Sequence, residues 1–396
     1  MNKKESGSFF KLYVVCLVLA AFSLRSSITS VGPVVSLIKE DLNMTSGQAG
    51  TLTTIPMLLF SVTAFFAGAI LPRFKIRHSS VVCFACTGAG LLIRSYLGLP
   101  GLYIGTALIG FGIGVLNVML PALNRQKAAQ KIGVITGVYN VSMNFMAGMG
   151  SGFSYKLAQA FGSWRPAISI WCVFPLLAIP LWLNLTGRKE FDDKTGEAYS
   201  PIAATKKFLN KNVWAVSALM ALQCVIYFSC VVTWFPTMMH DKGIDSSTAG
   251  VMTMGLQLIS LIPAFISPVL AQNPKNRPYV ALCGGGVYFI AAMIYLTCKS
   301  FPMMCVCAVL CGLGSGFCYS YVLALISMSG KSPAETTWIS GFAQMIGYAV
   351  SAVGPTIFGM ILDASGQWTI PMIIVAAAAA SYAAIGIIAG KSITGE

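Results

Sequence analysis

The chain has 396 residues, of which 56% are hydrophobic and only 10% charged, and its mean hydropathy is +0.76. Soluble proteins carry roughly 25% charged residues, so this composition excludes a soluble enzyme and predicts a membrane protein. The formal net charge of +14 does not indicate nucleic-acid binding. The basic residues stand in short turns between apolar runs and not in one patch with stacking aromatic residues.

A membrane-spanning helix needs about 20 apolar residues, so the length leaves room for about a dozen spans and no large aqueous domain. Apolar windows between polar breaks predict twelve helices and hence an all-α membrane protein. The first window is too long for a signal-peptide core, and we expect it to stay as the first span. In chain order the predicted helices cover residues 9–38, 46–71, 79–97, 100–123, 131–159, 164–186, 211–238, 247–271, 277–298, 302–329, 332–361 and 367–390.

The basic residues predict the orientation of these helices. With both termini in the cytoplasm, most of the 26 lysines and arginines lie on the cytoplasmic side, as the positive-inside rule requires. Arg25 remains in mid-span. The opposite side receives Lys39, Arg94, Lys156, Arg165, Lys242 and Lys299.

The longest polar interval, residues 187–210, separates six predicted helices from six, and we expect it to be a cytoplasmic linker. Residues 1–186 and 211–396 then form two six-helix bundles that repeat each other. Ala49-Gly50 recurs as Ala249-Gly250, Gly110 as Gly312 and Trp164 as Trp368. Each half begins and ends on the cytoplasmic side, so the two halves have the same orientation in the membrane. This is the parallel repeat of the major facilitator fold, in which the substrate binds near the midplane between the halves.

Arg25 is the predicted centre of the substrate site. We find no acidic residue in the middle of any predicted helix that could pair with it. A charged residue at that depth costs roughly 2.5–3.5 kcal/mol on insertion scales, whereas an anion at about 4 Å contributes on the order of 4 kcal/mol at an effective dielectric near 20. One interpretation is that an anionic substrate is the partner that compensates the charge of Arg25. Snorkelling, pairing with backbone carbonyls and a water-filled cavity are the alternatives.

Polar residues at helical spacing complete the predicted site. Asn140 and Asn144 lie four apart on one helix face, and the repeat carries them to Gln344 and Tyr348. Each alone could equally serve an interhelical hydrogen bond. The further candidates for substrate binding are Asn117, Gln223, Tyr227, Trp234, Gln257 and Tyr319.

Several other motifs carry no chemistry of their own. The glycine runs that begin at Gly110 and Gly312 lie inside predicted membrane helices, where small residues allow close helix packing, and they are not nucleotide loops. Twelve cysteines without neighbouring histidine or carboxylate predict helix packing and neither a metal site nor a disulfide framework. We therefore expect no catalytic residue, no metal and no cofactor, and no ATP-driven pump.

The residues resemble the cyanate porter family of the major facilitator superfamily, which includes bacterial cyanate and 2-nitroimidazole transporters. The likeness runs through both halves. By this resemblance Arg25 is the family's first-helix arginine, and the substrate is a small anion or a compact polar heterocycle. The similar stretches are Leu24-Arg25, Ile28 to Pro33, Asn117-Val118, Leu120-Pro121-Ala122, Gly133, Thr136 to Tyr139, Trp164-Arg165, Gln223, Tyr227, Trp234 and Pro236.

The turn from Gly68 to Arg77 is the superfamily's general signature, but here Pro72 stands where an aspartate is usual and Lys75 where a glycine is usual. We expect Arg73 and Arg77 of this turn, and Asp363 at the end of the eleventh helix, to act in gating. Apolar Ala107 stands near the place of an arginine common in proton-coupled drug antiporters. This difference disfavours a multidrug transporter.

The sequence leaves three functions open. The first is a monomeric secondary or facilitative transporter of a small anionic or strongly dipolar solute in a bacterial cytoplasmic membrane. The second is an exporter of neutral or weakly acidic toxic compounds such as nitroheterocycles. A membrane enzyme or receptor is the third, and it would need an intramembrane acid, base or nucleophile that we do not find. Protons could travel on the substrate or through Asp363 or Glu335, with uniport as the alternative.

Overall fold

The computed structural model describes residues 3–70, 74–127, 132–188, 191, 209–330 and 333–393, and all regular secondary structure in these ranges is helical. Within these ranges twelve long helices, several of them interrupted, run back and forth as the apolar windows predict. They are α1 (Lys3–Thr29, Gly32–Val34 and Val35–Leu42), α2 (Ser46–Ile70), α3 (Ile76–Tyr96), α4 (Gly98–Lys127), α5 (Ile132–Phe161), α6 (Trp164–Ser169, Ile170–Cys172 and Val173–Thr186), α7 (Lys211–Cys224, Val225–Trp234 and Phe235–Asp241), α8 (Ser246–Ile259 and Leu261–Gln272), α9 (Arg277–Thr297), α10 (Phe301–Ser329), α11 (Pro333–Ala352 and Gly354–Ser365) and α12 (Thr369–Ser392).

Eleven of these helices are long and apolar enough to cross a bilayer. The remaining one, α5, has 30 residues and sufficient length, but Asn140, Asn144 and several glycines and serines dilute its apolar character. A helix in this position can carry polar residues where it faces a cavity between helices and not lipid.

Five helices, α1, α6, α7, α8 and α11, depart from the predicted continuous form within the described residues, and two of these interruptions matter for the site. The first predicted span, residues 9–38, is confirmed as one membrane-spanning segment, Phe9–Leu42, but it is not one continuous helix, because α1 is interrupted after Thr29 and resumes after a short 3₁₀ turn that contains Pro33. Proline lacks the backbone N–H that an uninterrupted helix needs at that point. In α7, residues Val225–Trp234 form a π-helix, a geometry that often marks functional sites.

The packing within each half follows the internal repeat. In the first half α1 packs on α5, α2 on α4, and α3 on α4 and α6; in the second half α7 packs on α11, α8 on α10, and α9 on α10 and α12. Side chains repeat as well. The indole N–H of Trp164 donates to Asp41 at 3.2 Å, and that of Trp368 donates to Asp241 at 2.6 Å.

The two halves meet mainly along two helix pairs, α2 with α11 and α5 with α8, with smaller contacts of α1 and α2 with α7. Glycine makes the close approach possible in both. A β-carbon on Gly250 would lie 2.9 Å from the carbonyl oxygen of Ser151, and one on Gly50 would overlap the backbone of Pro355. These two pairs leave a space between the halves, around which the candidate site is built.

Candidate functional site

A cavity of about 480 Å³ lies between the two halves. This volume falls within the range that suits small-molecule ligands. Its polar walls come from α1, α4, α5, α7, α10 and α11 and from Ser260 between the two segments of α8, and none of the described residues that line it is an aspartate or glutamate. The lining includes Arg25, Asn117, Asn124, Tyr139, Asn140, Asn144, Gln223, Tyr227, Ser315, Tyr319, Ser320, Thr336, Ser340, Gln344 and Tyr348.

The cavity extends towards one end of the bundle, which we call the open end. There α4 and α10 finish, α5 and α11 begin, and the lining side chains of Asn140 and Ser327 are exposed to solvent. Near this end Tyr13 donates to Asn124 at 2.7 Å. The site is thus accessible from one side of the bundle.

The opposite end, which we call the sealed end, is closed by contacts between the halves. The hydroxyl of Thr233 in α7 donates to that of Thr53 in α2 at 2.8 Å. Gly32 lies so close to α7 that a β-carbon there would be 2.6 Å from the carbonyl oxygen of Val232. Asp363 of α11 accepts hydrogen bonds from the first backbone N–H groups of α2.

Arg25 lies one turn before α1 ends at Thr29 and lines the cavity. Within the described part of the chain its guanidinium makes no hydrogen bond and no ion pair, and the thiol of Cys224 lies in electrostatic range of it together with the phenols of four tyrosines. These tyrosines are Tyr139, Tyr227, Tyr319 and Tyr348. The guanidinium therefore keeps its planar fork of donors for a ligand.

The repeat-related amides lie on opposite walls and have similar surroundings. Asn144 donates to the carbonyl oxygen of Asn140, one turn earlier on α5, at 2.9 Å. Gln344 donates to the hydroxyl of Ser340, one turn earlier on α11, at 3.1 Å. Each amide is thereby anchored on its own helix, and among the described residues it does not bridge to a neighbouring helix.

Aromatic contacts hold in place the tyrosine wall, by which we mean the side of the cavity formed by the four tyrosines near Arg25. Tyr348 packs edge-on against Phe60 at 5.5 Å and against Phe228 at 6.1 Å between ring centroids, and Phe228 in turn packs against Tyr227 at 5.1 Å. Such edge-to-face pairs contribute about 0.5–1.5 kcal/mol each beyond their buried area. The wall is therefore a rigid surface for a planar ligand.

Nine of the eleven predicted binding residues line this cavity: Arg25, Asn117, Asn140, Asn144, Gln223, Tyr227, Tyr319, Gln344 and Tyr348. The other two do not. Gln257 is fully buried behind the wall, where it accepts a hydrogen bond from Tyr227 at 3.1 Å. Trp234 is fully buried at the sealed end and donates to the carbonyl oxygen of Pro355 at 2.9 Å.

The three predicted gating residues lie in different places. Asp363 contacts the other half at the sealed end. Arg77 is exposed in the first turn of α3, and Arg73 lies outside the described residues.

Two residues with clear structural roles were missed by sequence reasoning. Tyr139 lines the cavity beside Arg25, but it does not share the helix face of Asn140 and Asn144 on which the prediction rested. Arg94, which was predicted only to lie on the side opposite the cytoplasm, is 3% exposed and donates to the backbone of Ser27 at 3.0 Å. Its position near a helix end is equally typical of a surface residue, so the sequence offered no signal.

The chain is similar to known membrane transporters. The family model described as Major Facilitator Superfamily matches residues 17–327 and 235–391. The chain is 34% identical over 391 residues to an uncharacterized transporter, YycB, of Bacillus subtilis, covering 98% of this chain and 96% of the relative. It is 29% identical to the 2-nitroimidazole transporter of Escherichia coli, covering 98% and 97%. It is 21% identical to the cyanate transport protein CynX of Escherichia coli, covering 90% and 91%.

Among solved structures, the nucleoside transporter NupG superposes with a TM-score of 0.74 at 13% identity, covering 95% of this chain and 99% of NupG. At that identity the likeness concerns the fold alone. It confirms the predicted all-α fold of twelve helices, and the 2-nitroimidazole and cyanate transporters of Escherichia coli confirm the resemblance that the sequence motifs indicate.

Proposed function

The chain belongs to the Major Facilitator Superfamily and is a multi-pass membrane transporter, not an enzyme; on this premise we propose that it carries a small anionic or strongly dipolar solute, with Arg25 as the central binding cation. The binding wall around the guanidinium consists of Asn117, Asn140, Asn144, Gln223, Tyr227, Tyr319, Gln344 and Tyr348.

The observation that carries this proposal is the pairing state of Arg25. The guanidinium faces a cavity in which no described lining residue is acidic, and no described group is hydrogen-bonded to it. A charge away from bulk water is costly unless it is paired. An anion, or a nitro group with its two partly negative oxygens, supplies that partner in the geometry that a guanidinium fork prefers.

A second candidate function, transport of nitroheterocycles, is favoured by the other polar groups of the wall. The side-chain oxygen of Gln223 is buried and has no partner within the described residues, so it can accept a hydrogen bond from a ring N–H. The tyrosines offer aromatic faces for stacking. One relative is named a 2-nitroimidazole transporter, and a cavity of about 480 Å³ has room for such a ring.

The two functions differ in what Arg25 contributes. In the first, the attraction between charges dominates, and removing the guanidinium removes most of the affinity. In the second, ring stacking and the Gln223 acceptor retain a large part of the affinity. The orientation that we propose is the same for both. The open end faces the cytoplasm with both termini, so the sealed end faces outward.

A thermal-shift screen on the purified protein tests the proposal, because a ligand present at about 100 times its Kd stabilises the folded state by about 2.7 kcal/mol. Cyanate, nitrate and 2-nitroimidazole are the probes. We expect stabilisation of the wild type that Arg25→Gln removes. Arg165→Gln is the matched control, since it deletes the same charge at the ion pair with Asp41, outside the cavity lining.

Stabilisation that survives Arg25→Gln for 2-nitroimidazole, but not for the inorganic anions, favours the second function. Stabilisation by all three probes that is indifferent to Arg25→Gln contradicts the role assigned to the guanidinium.

For energy coupling, we propose that protons either travel on the substrate or pass through Asp363 or Glu335, with uniport as the alternative. The described cavity lining contains no carboxylate or histidine that could relay them. Proton flux measured with substrate flux in proteoliposomes tests this. With a substrate that carries no ionisable proton, a fixed proton stoichiometry that persists in the Asp363→Asn, Glu335→Gln double variant contradicts it.

A further inference from the structure

A second buried arginine lies outside the cavity described above. Arg94, in the last turn of α3, is 3% exposed, and its Nη1 donates to the backbone oxygen of Ser27 at 3.0 Å. Its Nε and Nη2 are buried and have no hydrogen-bond partner in the described part of the chain. A guanidinium remains charged in proteins and has five N–H donors, so most of its hydrogen-bonding capacity is unused.

Arg94 borders a small cavity of about 10 Å³, which has room for about one water molecule. Most of its wall comes from α1 to α4 of the first half, and no described lining residue is acidic. The second half contributes only two of the described lining residues, Val232 and Thr233 of the α7 π-helix. These two residues therefore cover the cavity.

The same two residues form part of the seal between the halves. Val232 approaches Gly32, and Thr233 bonds to Thr53. When the halves separate at the sealed end, these contacts break and the wall that covers Arg94 moves away. Arg94 then faces the opening on that side, while its contact with Ser27 holds it against α1 two residues beyond Arg25.

We propose that Arg94 is a second anion-binding site, exposed when the sealed end opens, which binds a small oxyanion before that anion reaches Arg25. The inference rests on the proposed function, because it assumes that an anion passes this point. The unused donors of Nε and Nη2 form the edge of the guanidinium that suits two oxygens of one anion. In the sealed state α7 covers the small cavity beside Arg94, so an anion can reach the site only when the sealed end is open.

Arginine modification by phenylglyoxal, read for each arginine by peptide mass spectrometry, tests the proposal. Gly32→Leu and Thr233→Ala weaken the seal in two different ways, one by steric overlap with α7 and one by loss of the bond to Thr53. We expect modification of Arg94 to rise about tenfold in both variants over the wild type, as local opening becomes more populated. Arg277 is the matched internal control. It is also buried, but its donors are used by Ala271, Gly390 and Met328, and it lies away from the seal.

The anion is tested in the same variants with Arg25→Gln added, so that the central site cannot account for the result. Sodium nitrate, compared with sodium gluconate at equal ionic strength, should slow modification of Arg94 by about threefold or more and leave Arg277 unchanged. Arg94 that stays unmodified in both seal variants, or that is modified at the same rate with and without nitrate, overturns the proposal. The thermal-shift result at Arg25 in otherwise wild-type protein is independent of this readout, so the two proposals can fail separately.

Discussion

Asp363 caps a helix of the opposite half: its carboxylate accepts the backbone N–H of Ser46, the first residue of α2, at 3.0 Å. The next N–H, that of Gly47, donates to the second carboxylate oxygen at 2.8 Å. The first N–H groups of a helix have no partner within it and carry the positive end of the helix dipole. The carboxylate therefore stabilises the closed seal through a contact that separation of the halves must break.

Asp363→Ala should weaken the seal by about 0.5–2 kcal/mol, the usual cost of losing a helix cap. Hydrogen–deuterium exchange should then be faster in the first turns of α2. Asp245→Ala is the matched control, because Asp245 caps α8 by accepting the N–H of Thr248 at 3.0 Å within one half. Equal effects of the two variants on α2 would show that Asp363 has no special role in the seal.

Gly50→Ala should disfavour the sealed conformation and slow transport, because the new β-carbon overlaps the backbone of Pro355 in the other half. Overpacking at a tight contact costs about 1–3 kcal/mol. Transport rate in proteoliposomes is the measurement. Gly286→Ala is the control, since nothing lies within 4 Å of a β-carbon at that position. An unchanged rate in Gly50→Ala would argue against close contact of α2 with α11 during the cycle.

Tyr227→Phe should lower the free energy of unfolding by about 1–3 kcal/mol, the cost of leaving a buried polar group without its partner. Gln257, buried behind the wall, loses the hydroxyl that donates to it. Tyr319→Phe serves for comparison, because it removes a cavity phenol for which the structure records no hydrogen bond. Denaturation midpoints of both variants check this. Equal destabilisation of the two would show that the bond between Tyr227 and Gln257 contributes nothing.

Arg25→Lys separates charge from shape at the proposed binding cation. Lysine keeps the positive charge but cannot form two parallel hydrogen bonds with one anion. For a carboxylate-like or nitro ligand we expect affinity to fall by about tenfold, and in Arg25→Gln by about a hundredfold, in line with ~1.5–3 kcal/mol for hydrogen bonds to charged groups. Titration calorimetry on both variants is the measurement. Affinity fully restored by lysine would indicate that charge alone, and not the guanidinium fork, selects the ligand.

Much of the fold was readable from the sequence because each helix is specified locally. In lipid every backbone polar group must find its partner within the helix itself, so an apolar window of sufficient length predicts a span with little reference to the rest of the chain. The internal repeat identified Trp164 and Trp368 as equivalent residues, but it did not identify the carboxylates with which their indoles pair. That Asp41 and Asp241 are the acceptors required the structure.

Residues of the candidate site could be predicted where helical spacing places them on one face of a helix. They could not be predicted where packing against neighbouring helices decides whether a side chain lines the cavity or is buried behind it. The four-residue interval between Asn140 and Asn144 puts both on one face of α5, and both line the cavity. Gln257 and Trp234 were predicted from residue type and position along their helices, but neighbouring helices bury them elsewhere. For Arg94 the sequence indicated only the side of the membrane, and its burial between helices required the structure.

The sequence by itself determined that this chain crosses the membrane as twelve helices in two repeated halves, and that one mid-span arginine has no acidic partner among them. The tertiary structure alone decided which end is sealed, that Asp363 caps α2 across the interface, and that a second guanidinium lies beneath the seal. The physical reason is the range of the interactions. Hydropathy and helical hydrogen bonds act within about 20 residues, whereas the contact between Ser46 and Asp363 joins residues 317 apart in the chain and exists only once the halves have packed together.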